Sequence, residues 1–288
     1  MGNLYGPILM VAAMFGFAVE DALIKTMAAR LPPGQLALAL GIGGGLAFAL
    51  AVRRQGGRLL DRRALQGAAL LRNVTEMLAA MCMILAVVLA PLSVVSAILQ
   101  AMPLAVTLGA AVFLREPVGW RRWSAILVGF AGVMLIVRPG TAGFDSRALL
   151  PLGAVLFLSI RDIATRRVPP GITSLQVSGW GFLAVIPGGL LLLALRGEVP
   201  LAPTAREWGM LVSTVAIGVL AYMALVLSTR AGSIASTTPF RYSRLVFAML
   251  LGMTLFGERP DALTLTGSAI VVAAGLYTLM REIRIGRR

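Results

Sequence analysis

The sequence predicts an all-α integral membrane protein of ten transmembrane helices, arranged as two inverted five-helix repeats. Three observations predict it. Hydrophobic residues make up 58% of the 288 residues and charged residues only 13%, with a mean hydropathy of +0.89, whereas a soluble domain carries about twice that charged fraction. Turn residues and charges cut the chain into ten apolar blocks, each near the roughly 20 residues that a spanning helix needs. Several short motifs of the first half also recur, in the same order, in the second.

The blocks run 5–28, 34–52, 65–89, 92–114, 119–137, 148–167, 172–195, 206–229, 233–256 and 261–281. Only "LAPLS" separates the third from the fourth, and Pro91 divides them because its ring cannot continue a helix. The longest links, "RRQGGRLLDRR" and "RGEVPLAPTARE", are too short to form a further domain. Of the 26 Lys and Arg residues, fifteen fall in links and tail on one side, six in links on the other, and five within blocks. Positive-inside bias then puts both termini in the cytoplasm. The start "MGNLYGP" has neither a basic n-region nor a small-residue cleavage site, so the first block is expected to stay in the mature protein.

The repeat is legible in paired motifs. "ARLPPGQ" (29–35) follows the first block and "RRVPPGI" (166–172) the sixth; "FLREPVGW" (113–120) follows the fourth and "FGERPDAL" (256–263) the ninth. Next come "VGFAGVMLIV" (128–137) and "VVAAGLYTLM" (271–280), which set Gly132 opposite Gly275. The expected division is 1–140 and 141–288, two repeats within one membrane domain. Five spans per half make the second half enter the bilayer from the opposite side, the architecture of many secondary transporters.

Composition also excludes function classes. The net charge of +14 resides in 25 Arg and one Lys, mostly in short links, without the basic, aromatic-interleaved face that nucleic acid requires. One cysteine (Cys82) and no histidine leave no disulfide framework and no expected zinc or haem site, and no cofactor is expected. The glycine runs "GIGGG" (41–45) and Gly129–Gly132 read as devices for close helix packing. No phosphate loop with "GK[ST]" is present, which argues against ATP as the driver.

Ten spans, a five-plus-five repeat and a glutamate with a nearby proline after spans four and nine resemble the drug/metabolite transporter superfamily, and more closely its EamA-type exporters. The stretches that carry the likeness are "LQAMPLAVTLGAAVFLREPVGWRRWSAILVGFAGVMLIV" (99–137) and "TTPFRYSRLVFAMLLGMTLFGERPDALTLTGSAIVVAAGL" (237–276). The "LLRNVTE" opening of span three is also similar, although Asn73 stands where members often carry glycine after the arginine. The resemblance implies a small-solute carrier in the inner membrane of a bacterium, in a superfamily that exports amino acids, aromatic ones included, and carries nucleotide sugars and triose phosphates.

Charged residues inside spans are the candidate site, because an uncompensated charge at mid-bilayer costs about 2.5 kcal/mol or more. Asp21 and Lys25, four apart on one helix face, are expected to pair with each other. Glu20 points about 100° away, which leaves it as the cavity-facing or protonatable carboxylate. Arg72 and Glu76 are again four apart; they either satisfy each other, or Arg72 attracts a substrate carboxylate while Glu76 competes. Arg161 is expected to snorkel to the interface, while Asp162 aligns with Lys25 when the two PPG turns are superposed. Without histidine, proton coupling would fall to carboxylates such as Glu20, Glu76 or Asp162.

Span four carries a polar stripe, Ser93, Ser96, Gln100, Pro103 and Thr107, whose spacings keep one helix face. Pro103 frees a carbonyl one turn earlier. In span nine Thr238 and Tyr242 align with Ser96 and Gln100, and Pro239 loosens the helix. Arg241 and Arg244 either pair with Glu76 or Asp162, snorkel, or form a cationic wall for an anionic solute group. Tyr222 in span eight offers a ring for stacking and a hydroxyl for bonding. Glu116 and Glu258 read as caps on the helices that follow them.

The resulting expectation is a secondary transporter that exports small metabolites, amino acids foremost, by alternating access. Its partners would be the lipid bilayer, a small-molecule substrate and protons as a coupling option. Spans one, three, four, six, eight and nine would line a central cavity. A nucleotide-sugar or cofactor carrier of the same fold stands as the alternative, with an intramembrane enzyme or a channel as other classes. The enzyme reading lacks a nucleophile–base or metal set.

Overall fold

A computed structural model describes residues 5–113, 119–169, 171–231 and 238–286. All regular secondary structure among them is helical: α1 (Tyr5–Met27), α2 (Pro33–Arg54), α3 (Gly67–Leu89), α4 (Leu92–Leu99), α5 (Met102–Phe113), α6 (Trp120–Val137), α7 (Leu149–Thr165), α8 (Ser174–Arg196), α9 (Ala205–Ala231), α10 (Ser243–Phe256) and α11 (Ala262–Gly286). Short 3-10 turns occur at Arg62–Leu65, Ser146–Ala148 and Thr238–Tyr242. Counting α4 and α5 as one span, nine of these helices are long and apolar enough to cross a membrane. The tenth is α10, 14 residues long. Spans one to three are therefore α1 to α3, span four is α4 plus α5, spans five to eight are α6 to α9, span nine is the Thr238–Tyr242 turn plus α10, and span ten is α11.

Local chemistry sets the boundaries. Pro32 and Pro33 open α2, where a missing N–H costs nothing. Thr173 and Gln176 form a reciprocal capping box at the start of α8. Gly197 and Gly257 close α8 and α10 in the left-handed region, φ 60° and 63°, which glycine enters without a Cβ clash.

The packing shows the duplication directly. The main helix contacts pair span one with eight, two with seven, three with six and five with ten, while span four packs most on six and nine most on one. Adding five to each member maps one-with-eight onto three-with-six and one-with-nine onto four-with-six, all of which are packed pairs. Each span thus finds its principal neighbour in the other half, as two inverted repeats related by a two-fold pseudo-axis require.

Glycine permits the closest of these contacts. A methyl group at Gly34 would lie 2.6 Å from the Gly189 carbonyl oxygen, and one at Gly189 would lie 2.7 Å from that of Gly34. Between spans five and ten the same reciprocity joins Gly132 and Gly267, at 2.9 and 2.6 Å. Gly41 and Gly44 of the "GIGGG" run seat Ile186 and the Phe182 ring. With lipid as apolar as the side chains, such backbone approach supplies the packing that holds the helices together.

Spans four and nine are both broken where the repeat aligns them. Helix α4 ends at Leu99 and α5 begins at Met102, because Pro103 has no N–H to offer the Leu99 carbonyl. Gln100 and Ala101 instead donate backwards to the Ala97 (3.3 Å) and Ile98 (3.0 Å) carbonyls, in the tighter 3-10 pattern. Span nine is a 3-10 turn over Thr238–Tyr242 before α10 begins. The two breaks touch: Gln100 Nε2 donates to the Tyr242 carbonyl at 3.4 Å.

Candidate functional site

The charged residues of spans one, three, six and nine face one another. Asp21 does not pair with Lys25, despite the four-residue spacing. Its Oδ2 accepts from Arg244 Nη2 of span nine at 2.7 Å, and that guanidinium also lies over the Phe17 ring, 5.4 Å from its centre. Lys25 turns the other way. Its Nζ donates to the carbonyls of Val87 (3.2 Å) and Ala90 (2.5 Å) at the end of α3, and it stands 3.7 Å from Glu258 Oε1. The intrahelical pair is lost because each group finds a better partner across the bundle. The Lys25 ammonium satisfies carbonyls at the end of α3, and Asp21 gains a guanidinium.

Glu258 corrects a second expectation. It caps no helix of its own repeat. Its carboxylate accepts from the backbone N–H groups of Leu92 (2.6 Å) and Ser93 (3.0 Å) and from Ser93 Oγ (2.8 Å), at the N-terminus of α4, where a negative charge meets the positive end of the helix dipole. Glu116 lies outside the described residues. Lys25 and Glu258 together close the α3–α4 hairpin around Pro91 from outside, at the face opposite the one where α1 starts.

Toward the face where α1 starts, a second group of charges forms one network. Arg72, 3% exposed, donates Nη2 to Glu76 Oε2 at 3.1 Å and Nη1 to Asn73 Oδ1 at 3.0 Å. Asn73 in turn donates to the Ala64 carbonyl at 2.9 Å. Gly181 of span seven makes room for this guanidinium, since a methyl there would meet Arg72 Nη1 at 3.0 Å. Arg161 does not snorkel: it bridges Glu76 (Nη1 to Oε2, 3.1 Å) and Asp162 (Nε to Oδ1, 2.8 Å). Two acids flank it inside the bundle, a stronger attraction than the distant interface. Glu76 thus holds two arginines, one from its own span and one from span six.

The other candidates divide. Glu20 and Arg241 form no ion pair or hydrogen bond among the described residues. The Glu20 carboxylate lies against Gly218 of span eight, where a methyl would come within 2.7 Å of its Oε1. The Thr238–Tyr242 turn that carries Arg241 packs on α1. Tyr222 packs edge-on to Phe48 and Phe182, ring centres 5.7 and 6.2 Å away. Tyr242 is buried, with its hydroxyl in the space a side chain at Gly275 would fill. Ser96 is buried with its hydroxyl unpartnered among the described residues. Thr107 turns back to the Pro103 carbonyl at 2.9 Å, so the polar stripe of span four serves several local purposes. The Thr238 side chain lies outside the described residues.

Glu76, Arg161, Arg244 and Asp162, from three spans, keep 18%, 19%, 23% and 33% of their side-chain surface accessible, whereas Arg72 is covered. Glu258 is misread by spacing, as are Asp21, Lys25 and Arg161, and Asn73 is given no role. Knowing that span nine packs on span four would have placed the first, since the end of one then meets the start of the other.

Ten spans in two inverted halves, with opposite charges paired across their junction, define a membrane transporter of the two-repeat class. The EamA-like transporter family model matches residues 4–138 and again 146–280. The chain belongs to that family, within the drug/metabolite transporter superfamily. It is 31% identical, over 93% of its own length and 94% of the other's, to the pseudopaline exporter of Pseudomonas aeruginosa. A riboflavin transporter of Vibrio cholerae is 29% identical over 67% of this chain and 64% of that protein. An S-adenosylmethionine uptake transporter of Rickettsia felis is 25% identical over 67% and 65%. One solved crystal structure superposes over 99% of both chains with a TM-score of 0.64 at 20% identity, a likeness of fold alone.

Proposed function

We propose that this transporter exports small zwitterionic metabolites, amino acids foremost, by alternating access in the bacterial inner membrane, with both termini cytoplasmic. One observation carries the reading. With Glu258 included, five acids and five bases meet inside the bundle, drawn from both halves. A solute with one ammonium and one carboxylate can exchange with such pairs without adding net charge to a low-dielectric interior, where a single extra charge is expensive. Export follows the relative aligned over nearly the whole chain. The repeats 1–140 and 141–288 would rock about the contact between the two broken spans, with Arg72, Glu76, Ser96, Gln100, Tyr222, Thr238, Tyr242 and Arg244 along the path. Protons are the coupling option, through Glu20, Glu76 or Asp162.

The test is counterflow into proteoliposomes with a panel of labelled amino acids. Saturable exchange of at least one amino acid supports the reading; none, with riboflavin or S-adenosylmethionine exchanging instead, replaces it by a cofactor carrier. The names of two relatives favour that second reading. An imposed pH gradient that leaves the rate unchanged removes the proton.

A further inference from the structure

Of the ten charges named in the bundle interior, eight are accounted for. Lys25 answers Glu258, Asp21 answers Arg244, and Arg72, Glu76, Arg161 and Asp162 form a chain of alternating sign. One acid and one base remain, Glu20 and Arg241, both partly exposed and neither bonded among the described residues. A charge left unpaired at membrane depth costs free energy that a structural role would not repay.

Their placement is complementary as well. The Asp21–Arg244 bond fixes span one against span nine. Glu20 is the residue before Asp21, and Arg241 is three before Arg244, so both unpaired groups lie beside that anchor. Glu20 rests on span eight at Gly218, one turn before Tyr222 on the same face of that helix. The Thr238–Tyr242 turn that carries Arg241 packs on α1, the helix that carries Glu20.

We infer that Glu20 and Arg241 are the two specificity-determining poles of the solute site: Glu20 receives the ammonium and Arg241 the carboxylate, with the Gly218–Tyr222 face of span eight alongside. This rests on the zwitterion reading above and adds to it an orientation and a discrimination. A solute lacking either charge leaves one pole buried against nothing, and is rejected for that reason.

The experiment takes radiolabelled L-leucine, L-phenylalanine and L-threonine in counterflow, with the N-acetyl derivative and the carboxamide of each as competitors. The wild type is expected to reject both derivatives. Glu20→Gln should raise the half-saturation concentration of the parent about tenfold or more and lose discrimination against the N-acetyl derivative alone. Arg241→Gln should do the converse, losing discrimination against the carboxamide. Gly218→Ala leaves every charge in place and pushes the Glu20 carboxylate aside, so it should mimic Glu20→Gln. Ligand-induced thermal stabilisation of the solubilised proteins gives the same ratios for a variant that no longer transports. Exchange of amino acids with discrimination unchanged in all three variants overturns the poles and spares the zwitterion reading. No exchange or stabilisation by any of the three amino acids, in well-folded wild type, overturns both.

Discussion

At one end of the charged interior, Lys25 and Glu258 each finish a helix; at the other, Arg72, Glu76, Arg161 and Asp162 mostly finish one another. The first pair spends its hydrogen bonds on the carbonyls of Val87 and Ala90 and the N–H groups of Leu92 and Ser93. Those groups carry the partial charges of two helix ends and have no alternative partner inside a membrane. The second group shares its bonds, with one carboxylate between two guanidiniums and one guanidinium between two carboxylates. Such a network can trade partners without orphaning a backbone group. The difference separates a fixed closure, which ties spans one, three, four and nine together, from a polar junction able to rearrange as the halves move.

Glu258→Ala should break that contrast most severely. It leaves two helix N–H groups and a half-buried ammonium without their anion, and each orphaned donor costs about 1–3 kcal/mol. Thermal unfolding of the detergent-solubilised protein should show the largest loss of any single charge substitution here. A drop no larger than that of an exposed pair would mean that water replaces the carboxylate and that the closure is not fixed.

Glu76→Gln should act at the other end with the opposite balance. The amide keeps one acceptor for an arginine while the charge disappears, so the expected stability loss is smaller, about 1–3 kcal/mol. Flux should fall at least tenfold, because Arg72 and Arg161 are then free to trap an anionic group. Equal losses of stability in Glu258→Ala and Glu76→Gln would show that both ends are structural.

The fold was readable because lipid imposes it. Only helices satisfy their own backbone in a bilayer, so ten apolar blocks and a motif repeat sufficed to give ten spans in two halves. The breaks in spans four and nine were readable from Pro103 and Pro239 for the same local reason. Charge partners were not. Asp21 and Lys25 obey the four-residue rule, yet that rule describes a helix alone. Inside a bundle, Arg244 and the open end of α3 offer each a partner that the spacing cannot reveal. Asn73 stood out only as a departure from a family pattern, and its bond to the Ala64 carbonyl depends on the Arg62–Leu65 turn folding back over span three.

Asn73→Ala sharpens the comparison within the rearranging end. It removes one acceptor from Arg72 and one tie to the Ala64 carbonyl while leaving Glu76 in place, so a loss of about 1 kcal/mol is expected. Flux should change less than in Glu76→Gln. A larger effect on flux than on melting would make Asn73 a positioning residue for Arg72.

The smallest effect is expected outside the membrane, at the tie between spans five and ten. Arg138 ends α6 in the left-handed region, φ 53°, and its guanidinium bonds Asp261, which also caps α11 through the Thr264 N–H at 2.9 Å. The Arg138 hydrogen bond first, and the Thr264 backbone second, hold the Asp261 carboxyl below its ordinary 3.8. A carboxyl more acidic folded than unfolded contributes stability that is present above its unfolded value and lost as pH falls through its folded one. Asp261→Asn should therefore melt slightly below wild type at about pH 7, and the gap should close as both are taken to about pH 3 and below. Half of the Asp261 side chain is exposed, so solvent and salt screen the pair and keep the gap small. A gap that persists undiminished in acid would assign the tie to the neutral cap on Thr264 and remove Arg138 from it.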